Sequence, residues 1–230
     1  MRKYKLTGET KEIGGKILHR IRALIDIPAH AVKAGDLGGW IEAERNLSQK
    51  GAAWVADEAR VMDEAFVMDS ALVMNSACVT GKARVMDSAR VMGTALVMGS
   101  AWVTDSAWVM GSARVMDSAW VMGSARVTDE ACVTGKALVT GSARVRGKAL
   151  VTDSADYIAI GAIGSRDDTT TFYRGADGEI YVSCGCFNGT IDDFAVKVKE
   201  VHAGTKHERT YLLAIELAKA QIAPWEENQK

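Results

Sequence analysis

From Ala53 onward an alanine returns every sixth residue, without one slip, as far as Ala155. A valine follows two residues behind each of them, from Val55 to Val151. The unit reads, with few exceptions, Ala-x-Val-(Met/Thr)-(Gly/Asp/Asn)-(Ser/Lys/Glu), and seventeen copies fill residues 53–154. A six-residue period excludes the 3.6-residue helix and the heptad. Ala and Val two apart share one face of a strand, because strand side chains alternate. Gly, Asp or Asn then tolerates the backbone of a tight turn.

One strand-and-turn unit cannot bury its own Ala and Val. Stacking the units into a coil with three flat sides buries them, so residues eighteen apart lie above one another at roughly 4.8 Å. Seventeen units make between five and six coils, a rod roughly 25–30 Å long. Proline, which would remove a ladder donor, occurs only at Pro28 and Pro224, outside the repeats. The small residue in each unit leaves room at the corners of a triangular core. The expected fold is therefore an all-β parallel β-helix of about six coils.

Three segments follow. Residues 1–50 should form an N-terminal β cap and an imperfect first coil, since Leu37 and Ile41 fall in register with later inward positions. Residues 51–155 hold the repeats. Residues 156–230 lose the period and read as a small α+β module. In it, Thr169–Arg174 and Glu179–Cys184 flank Gly175-Ala176-Asp177-Gly178 as a hairpin. Two helices follow, from Asp192 to about Val201 and from Glu208 to about Ile222. The second carries Leu212, Leu213, Ile215, Leu217 and Ala218 on its apolar face.

With Ala and Val inside, the residue between them and the residue after Val point outward. Nine of the ten methionines stand after Val, from Met62 to Met122, and Trp54, Trp102, Trp108 and Trp120 stand between Ala and Val. Spacing by eighteen sorts them onto sides. One side stacks Phe66/Met68, Arg84/Met86, Trp102/Thr104, Trp120/Met122 and Leu138/Thr140. A second stacks Trp54, Leu72/Met74, Arg90/Met92, Trp108/Met110, Arg126/Thr128 and Arg144/Arg146. The third carries Arg60/Met62, Cys78/Thr80, Leu96/Met98, Arg114/Met116, Cys132/Thr134 and Leu150/Thr152.

Walls of this kind exceed the apolar patches a soluble monomer shows, and Trp, Met and Arg are enriched at interface cores. The expected interface is Trp54, Phe66, Met68, Met86, Trp102, Trp108, Met110, Trp120 and Met122. The bland alternative is that the chain's own terminal segments cover these walls. Arg84, Arg90, Arg114 and Arg126 are candidates for holding a small anion between subunits. The Asp69, Asp87 and Asp105 column could hold a hard cation, but Asp is also a good turn former.

The repeat resembles the hexapeptide motif of bacterial acyltransferases, whose members form left-handed parallel β-helices and homotrimers. Lys33-Ala-Gly-Asp-x-Gly-Gly-Trp-Ile41 with Leu47-Ser-Gln-x-Gly51 resembles the N-terminal cap of hexapeptide-repeat transferase-like proteins of enterobacteria and their prophages. Gly164-Ser-Arg-Asp-Asp-Thr-Thr-Thr-Phe172 and Val182-Ser-Cys-Gly-Cys-Phe-Asn-Gly-Thr190 resemble a C-terminal module common on prophage proteins. The resemblance implies handedness, trimerisation and a phage origin, with a host protein as one conceivable partner. It also implies a rival reading: an acyltransferase binding acyl-CoA between coils.

Such transferases use a histidine base, and the related carbonic anhydrases bind zinc through three histidines. Here His19, His30, His202 and His207 all lie outside the repeats, and no loop interrupts the coils to build an acceptor pocket. Without a base, acyl transfer near neutral pH lacks its proton acceptor. The repeats are therefore read as non-catalytic, with no catalytic residue and no cofactor. Cys184, Cys186, His202 and His207 form a weak candidate zinc set, because one residue between cysteines is tighter than the usual spacing. Cys78 and Cys132 share a side three coils apart, too far for a disulfide.

A net charge of -1 argues against non-specific nucleic-acid binding. No run reaches the length of a membrane span, and the basic start from Met1 to Leu6 lacks the apolar core of a signal peptide. Four cysteines in so long a chain make no disulfide framework, which points to a reducing cytoplasm, the host's if the gene is a phage's. The reading that results is a non-catalytic, oligomeric binding or scaffolding protein. The alternatives are the acyltransferase and a sponge for a small anionic nucleotide.

Overall fold

The computed structural model describes residues 2–222; Met1 and residues 223–230, with Pro224 and the end of the expected C-terminal module, lie outside the description. Three long strands open the chain: β1 (Tyr4–Ile13), β2 (Lys16–Ala23) and β3 (Leu37–Ile41). Seventeen two-residue strands follow, β4 (Trp54–Val55) through β20 (Leu150–Val151), one per repeat. The C-terminal module comprises β21 (Tyr157–Ile163), β22 (Asp168–Arg174), β23 (Ile180–Cys184), β24 (Phe187–Thr190), α1 (Ile191–His202) and α2 (Lys206–Gln221).

The repeats wind into a left-handed parallel β-helix of about six turns. Three sheets form its sides: β6-β9-β12-β15-β18, β4-β7-β10-β13-β16-β19 and, extended by the N-terminal strands, β5-β8-β11-β14-β17-β20. Each parallel pair is offset by eighteen residues, as in Arg90↔Trp108 and Val91↔Val109. Backbone bonds repeat with the rungs: the Arg90 amide donates to the Ala107 carbonyl, and the Met92 amide to Val109, each at 2.9 Å. Every repeat alanine and valine from Ala53 to Val151 is buried. Burying a valine is worth about 1.5–3 kcal/mol, and this term recurs at every rung.

The corners explain the fifth position of the unit. Each corner residue from Asp57 to Gly147 has a φ between 54° and 74°. Glycine meets that demand without a Cβ penalty, and Asp and Asn are the side chains that best tolerate it. The carboxylates also bind along the rod: Asp105 Oδ2 accepts the Gly123 amide at 2.8 Å, and Asp57 Oδ2 the Asn75 amide at 3.0 Å. Asp87 accepts both the Thr104 hydroxyl and the Asp105 amide. The Asp69, Asp87 and Asp105 column is thus occupied in tying rungs together. At Asp153 φ turns to -140°, and the winding stops in a 3-10 turn, Ser154–Asp156.

The first coil departs from the expected register. Ile41 pairs with Val61, Trp40 with Arg60, and Leu47 with Val67, an offset of twenty residues instead of eighteen. Leu37 is not inward but 45% exposed, paired with Arg22 on the edge of the cap. The reason is geometric. β3 belongs to an antiparallel hairpin sheet, and two extra residues lie between Leu47, which pairs with Val67, and Trp54, which pairs with Leu72, where the regular winding begins. β1 and β2 pair through the Gly14-Gly15 turn, where both glycines have positive φ, as a two-residue hairpin requires.

Both open ends are plugged. At the N-terminal end, buried Lys3 Nζ donates to the Ala53 carbonyl at 2.7 Å and reaches that of Lys50. Tyr4 donates to the Leu47 carbonyl at 2.8 Å, and Asn46 Nδ2 donates to the carbonyls of Asp63 and Ala65. At the C-terminal end, β22 separates two cores: Tyr173 joins the interior of the β-helix, while Phe172 joins the core of the module. Thr171 accepts the free Arg144 amide of the last coil at 2.9 Å. Asp156 and Arg174 form a buried ion pair at 2.8 Å across this junction.

The module's hairpin forms as expected, β22 against β23, but β21 and β24 extend it to four strands. On α2 the buried residues are Tyr211, Ala214, Ile215 and Ala218, whereas Leu213 and Leu217 are 62% and 51% exposed. The expected apolar face was therefore rotated: Tyr211 anchors α2 against Phe194 of α1 at 5.3 Å, and the two leucines point away.

Candidate functional site

The outer walls follow the columns expected from spacing. On the first side, Phe66, Arg84, Trp102, Trp120 and Leu138 stand in register on β6, β9, β12, β15 and β18. The Trp102 and Trp120 rings stack with centroids 4.8 Å apart and planes within 1°. The rung spacing imposes that separation. The Arg84 guanidinium lies 5.1 Å from the Trp102 centroid, so the column runs cation, indole, indole. Met68, Met86 and Met122 flank it, each half-buried.

The second side carries a different stack. Arg90 and Arg126, one rung before and one rung after, lie 5.1 Å and 5.2 Å from the Trp108 ring, with Met110 alongside. A cation over an indole contributes about 0.5–1 kcal/mol at an exposed site, and a stacked aromatic pair a similar amount. Part of the Trp and Arg content therefore stabilises the rod along its own axis. On the third side Arg114 stands between Leu96 and Cys132. Arg84, Arg90, Arg114 and Arg126 are all exposed, and none has a carboxylate partner among the ion pairs of the described residues. Arg90 and Arg126 share a column but Arg84 and Arg114 sit on the other two sides, so one chain does not gather the four into a single pocket.

Trp54 is a correction. It is 1% exposed and belongs to the interior of the N-terminal cap, not to an open wall. β3 crosses it with Gly38, where a Cβ would stand 2.7 Å from the ring; at neighbouring Gly39 a Cβ would stand 2.6 Å from the Ala59 carbonyl. The Gly-Gly of the cap is thus a close-approach device. For this tryptophan the chain's own terminal segment is the partner. The other eight, Phe66, Met68, Met86, Trp102, Trp108, Met110, Trp120 and Met122, remain half-buried or, in Trp120, 40% exposed.

The weak zinc set does not assemble. Cys184 ends β23, Cys186 sits in the two-residue turn to β24 and not on a strand, and His202 closes α1. The His202 and His207 rings face each other at 5.8 Å. Among the described residues no three His, Cys, Asp or Glu side chains are placed to share a metal. The Cys184 thiol instead accepts from the Thr170 hydroxyl and donates to that of Tyr211. Cys78 and Cys132 are free, and burial pushes both thiols up, so neither is an activated nucleophile.

One histidine does approach the repeats. His30 lies where Arg90 and Lys3 disfavour its charge, and burial, the larger cause, lowers its pKa further. No sequence signal placed it there; the cap loop that carries it is folded over the rod by tertiary packing. No helix of the described residues is long and apolar enough to cross a membrane. No protein-family model and no curated protein matches the chain by sequence.

Proposed function

We propose that the chain is a non-catalytic, self-associating β-helix, a homotrimer of phage or prophage type that acts in the cytoplasm as a binding or scaffolding protein. The observation that carries this reading is the Trp102–Trp120 stack, flanked by Met68, Met86 and Met122, on a wall whose Trp120 stays 40% exposed in the presence of the terminal segments. Those segments cap the two ends of the rod. Indole, thioether and guanidinium side chains on one flat sheet have the composition of an interface core. A second copy offers the same flat geometry at the same rung spacing, so stacked columns can interlock without rearrangement. With no histidine on any rung, the repeats lack a general base for acyl transfer.

Sedimentation of the wild type against Trp102→Asp tests the proposal. The wild type should sediment as a trimer. The variant should sediment as a monomer with an unchanged β-type circular dichroism spectrum, because the charge enters the wall and not the core. A monomeric wild type sinks the reading.

A second reading rests on the Arg90–Trp108–Arg126 stack, where two guanidiniums without carboxylate partners flank an indole. That arrangement suits a small anionic nucleotide, with the base on the ring edge and the phosphate on one of the two guanidiniums. Nucleotide released from the purified protein by heat, and lost in Arg126→Ala, would support this reading. Protein free of nucleotide that binds none on addition removes it.

A further inference from the structure

The C-terminal module encloses a cleft of about 400 Å³ between the β23–β24 turn, the loop before β22 and the two helices. Its walls are apolar: Phe187 from β24, and Phe194, Val198 and Val201 from α1. The volume lies within the range of small-molecule sites, which combine apolar walls with a few polar groups at one end. Here the polar end is well defined. Tyr211 reaches from α2 beneath the 164–165 loop, and Gly164 passes so close to its hydroxyl that no side chain could fit there. The hydroxyl lies 3.6 Å from the Cys184 thiol and is hydrogen-bonded to the Ser165 backbone, and it keeps a proton of its own to donate. Burial, assisted by the neighbouring Cys184, pushes its pKa up to about 12, so that proton stays available.

The charges around the opening are not balanced. Asp168 is held by Arg144 at 3.0 Å, and Lys197 by Glu200 at 3.2 Å. Arg166 lines the cleft with no carboxylate partner among the described residues, yet its charge reaches both Asp168 and the Tyr211 hydroxyl. A fork of guanidinium donors beside a phenol donor matches a carboxylate, which accepts on both oxygens.

We propose that this cleft binds a free medium-chain carboxylate, with the headgroup on Arg166 and the Tyr211 hydroxyl and the tail between Phe187, Phe194, Val198 and Val201. The site is independent of the walls of the β-helix, so it stands or falls apart from the oligomeric reading. Decanoate is the natural probe, and decanol its neutral counterpart.

Calorimetric titration of the full chain with decanoate should show one saturable site. Arg166→Ala should weaken binding tenfold or more. Val201→Trp, at an exposed position on the rim, should fill the cleft and eliminate binding. Decanol should bind at least tenfold more weakly than decanoate. No saturation by decanoate up to about 5 mM overturns the proposal. So does equal affinity of Arg166→Ala and wild type, or of decanol and decanoate. Should Val201→Trp lose its cooperative melting transition, Arg166→Ala and decanol decide the matter, since neither disturbs the core.

Discussion

In the β-helix the interior is built from the repeat alanines and valines, and the neighbour above each is the same residue eighteen positions later. In the C-terminal module the buried residues include Phe172, Phe194, Tyr211 and Ile215, each in a contact that occurs once. The rod gains stability by repetition: each rung touches only the rungs above and below it, so register propagates from any correct pair. The module depends on a few large side chains meeting at one place. Damage to a rung should therefore spread along the rod, whereas damage to the module should stay local.

The sharpest way to break that contrast is Val109→Asp. The carboxylate would be buried between Val91 and Val127 with no partner, at a cost above about 4 kcal/mol, and the rod should fail to fold as a unit. Phe194→Ala should cost about 3–4 kcal/mol. Hydrogen exchange should then show lost protection in α1 and α2 with rung amides still protected. Rung amides that lose protection together with the helices would show that the two regions are one cooperative unit.

The two ends of the rod sharpen the comparison. Asp156→Ala removes the buried ion pair and the Thr152 and Asp153 bonds at the junction of rod and module, and should cost about 3 kcal/mol in chemical denaturation. Burial raises the Asp156 pKa, but bonds from Arg174, Thr152 and Asp153 bring it below the usual value. The advantage over the variant is therefore present above about pH 4 and fades as pH falls through the folded pKa. An advantage that persists unchanged in acid would remove the carboxylate from the account.

The N-terminal plug slopes the same way, in a higher pH window. Burial lowers the Lys3 pKa to about 8, so between that value and the unfolded one, near 10.5, the folded chain binds fewer protons than the unfolded chain. Relative to Lys3→Met, wild-type stability should rise by about 2–3 kcal/mol as pH is raised across that window. A flat difference would mean that the ammonium stays solvated.

The rod was legible because its signal recurs. Seventeen copies of one unit leave a single arrangement in which every Ala and Val is buried, and the columns of Trp, Met and Arg follow by counting. The first coil escaped counting because two extra residues between Leu47 and Trp54 shift its register to twenty, which no period announces. Trp54 was misplaced for a related reason: its position in the unit is that of a wall residue, and only the path of β3 over it makes it interior. The Gly14-Gly15 turn between two alternating runs was a usable hairpin signal. The cleft was not readable. Cys184, Cys186 and His202 stood out as metal-ligand types, but their grouping with Phe187, Phe194, Arg166 and Tyr211 joins four elements by packing alone.

The amino-acid sequence by itself determined the six-residue step, the identity of the core residues, the corner chemistry and the order of side chains along each wall. A strictly local period repeated many times allows no competing arrangement. Tertiary structure decided which walls stay open, how the two ends are closed and where the module makes its cleft. Those features depend on contacts between residues far apart in the chain, such as Lys3 with Ala53 and Tyr211 with Cys184, and each occurs only once.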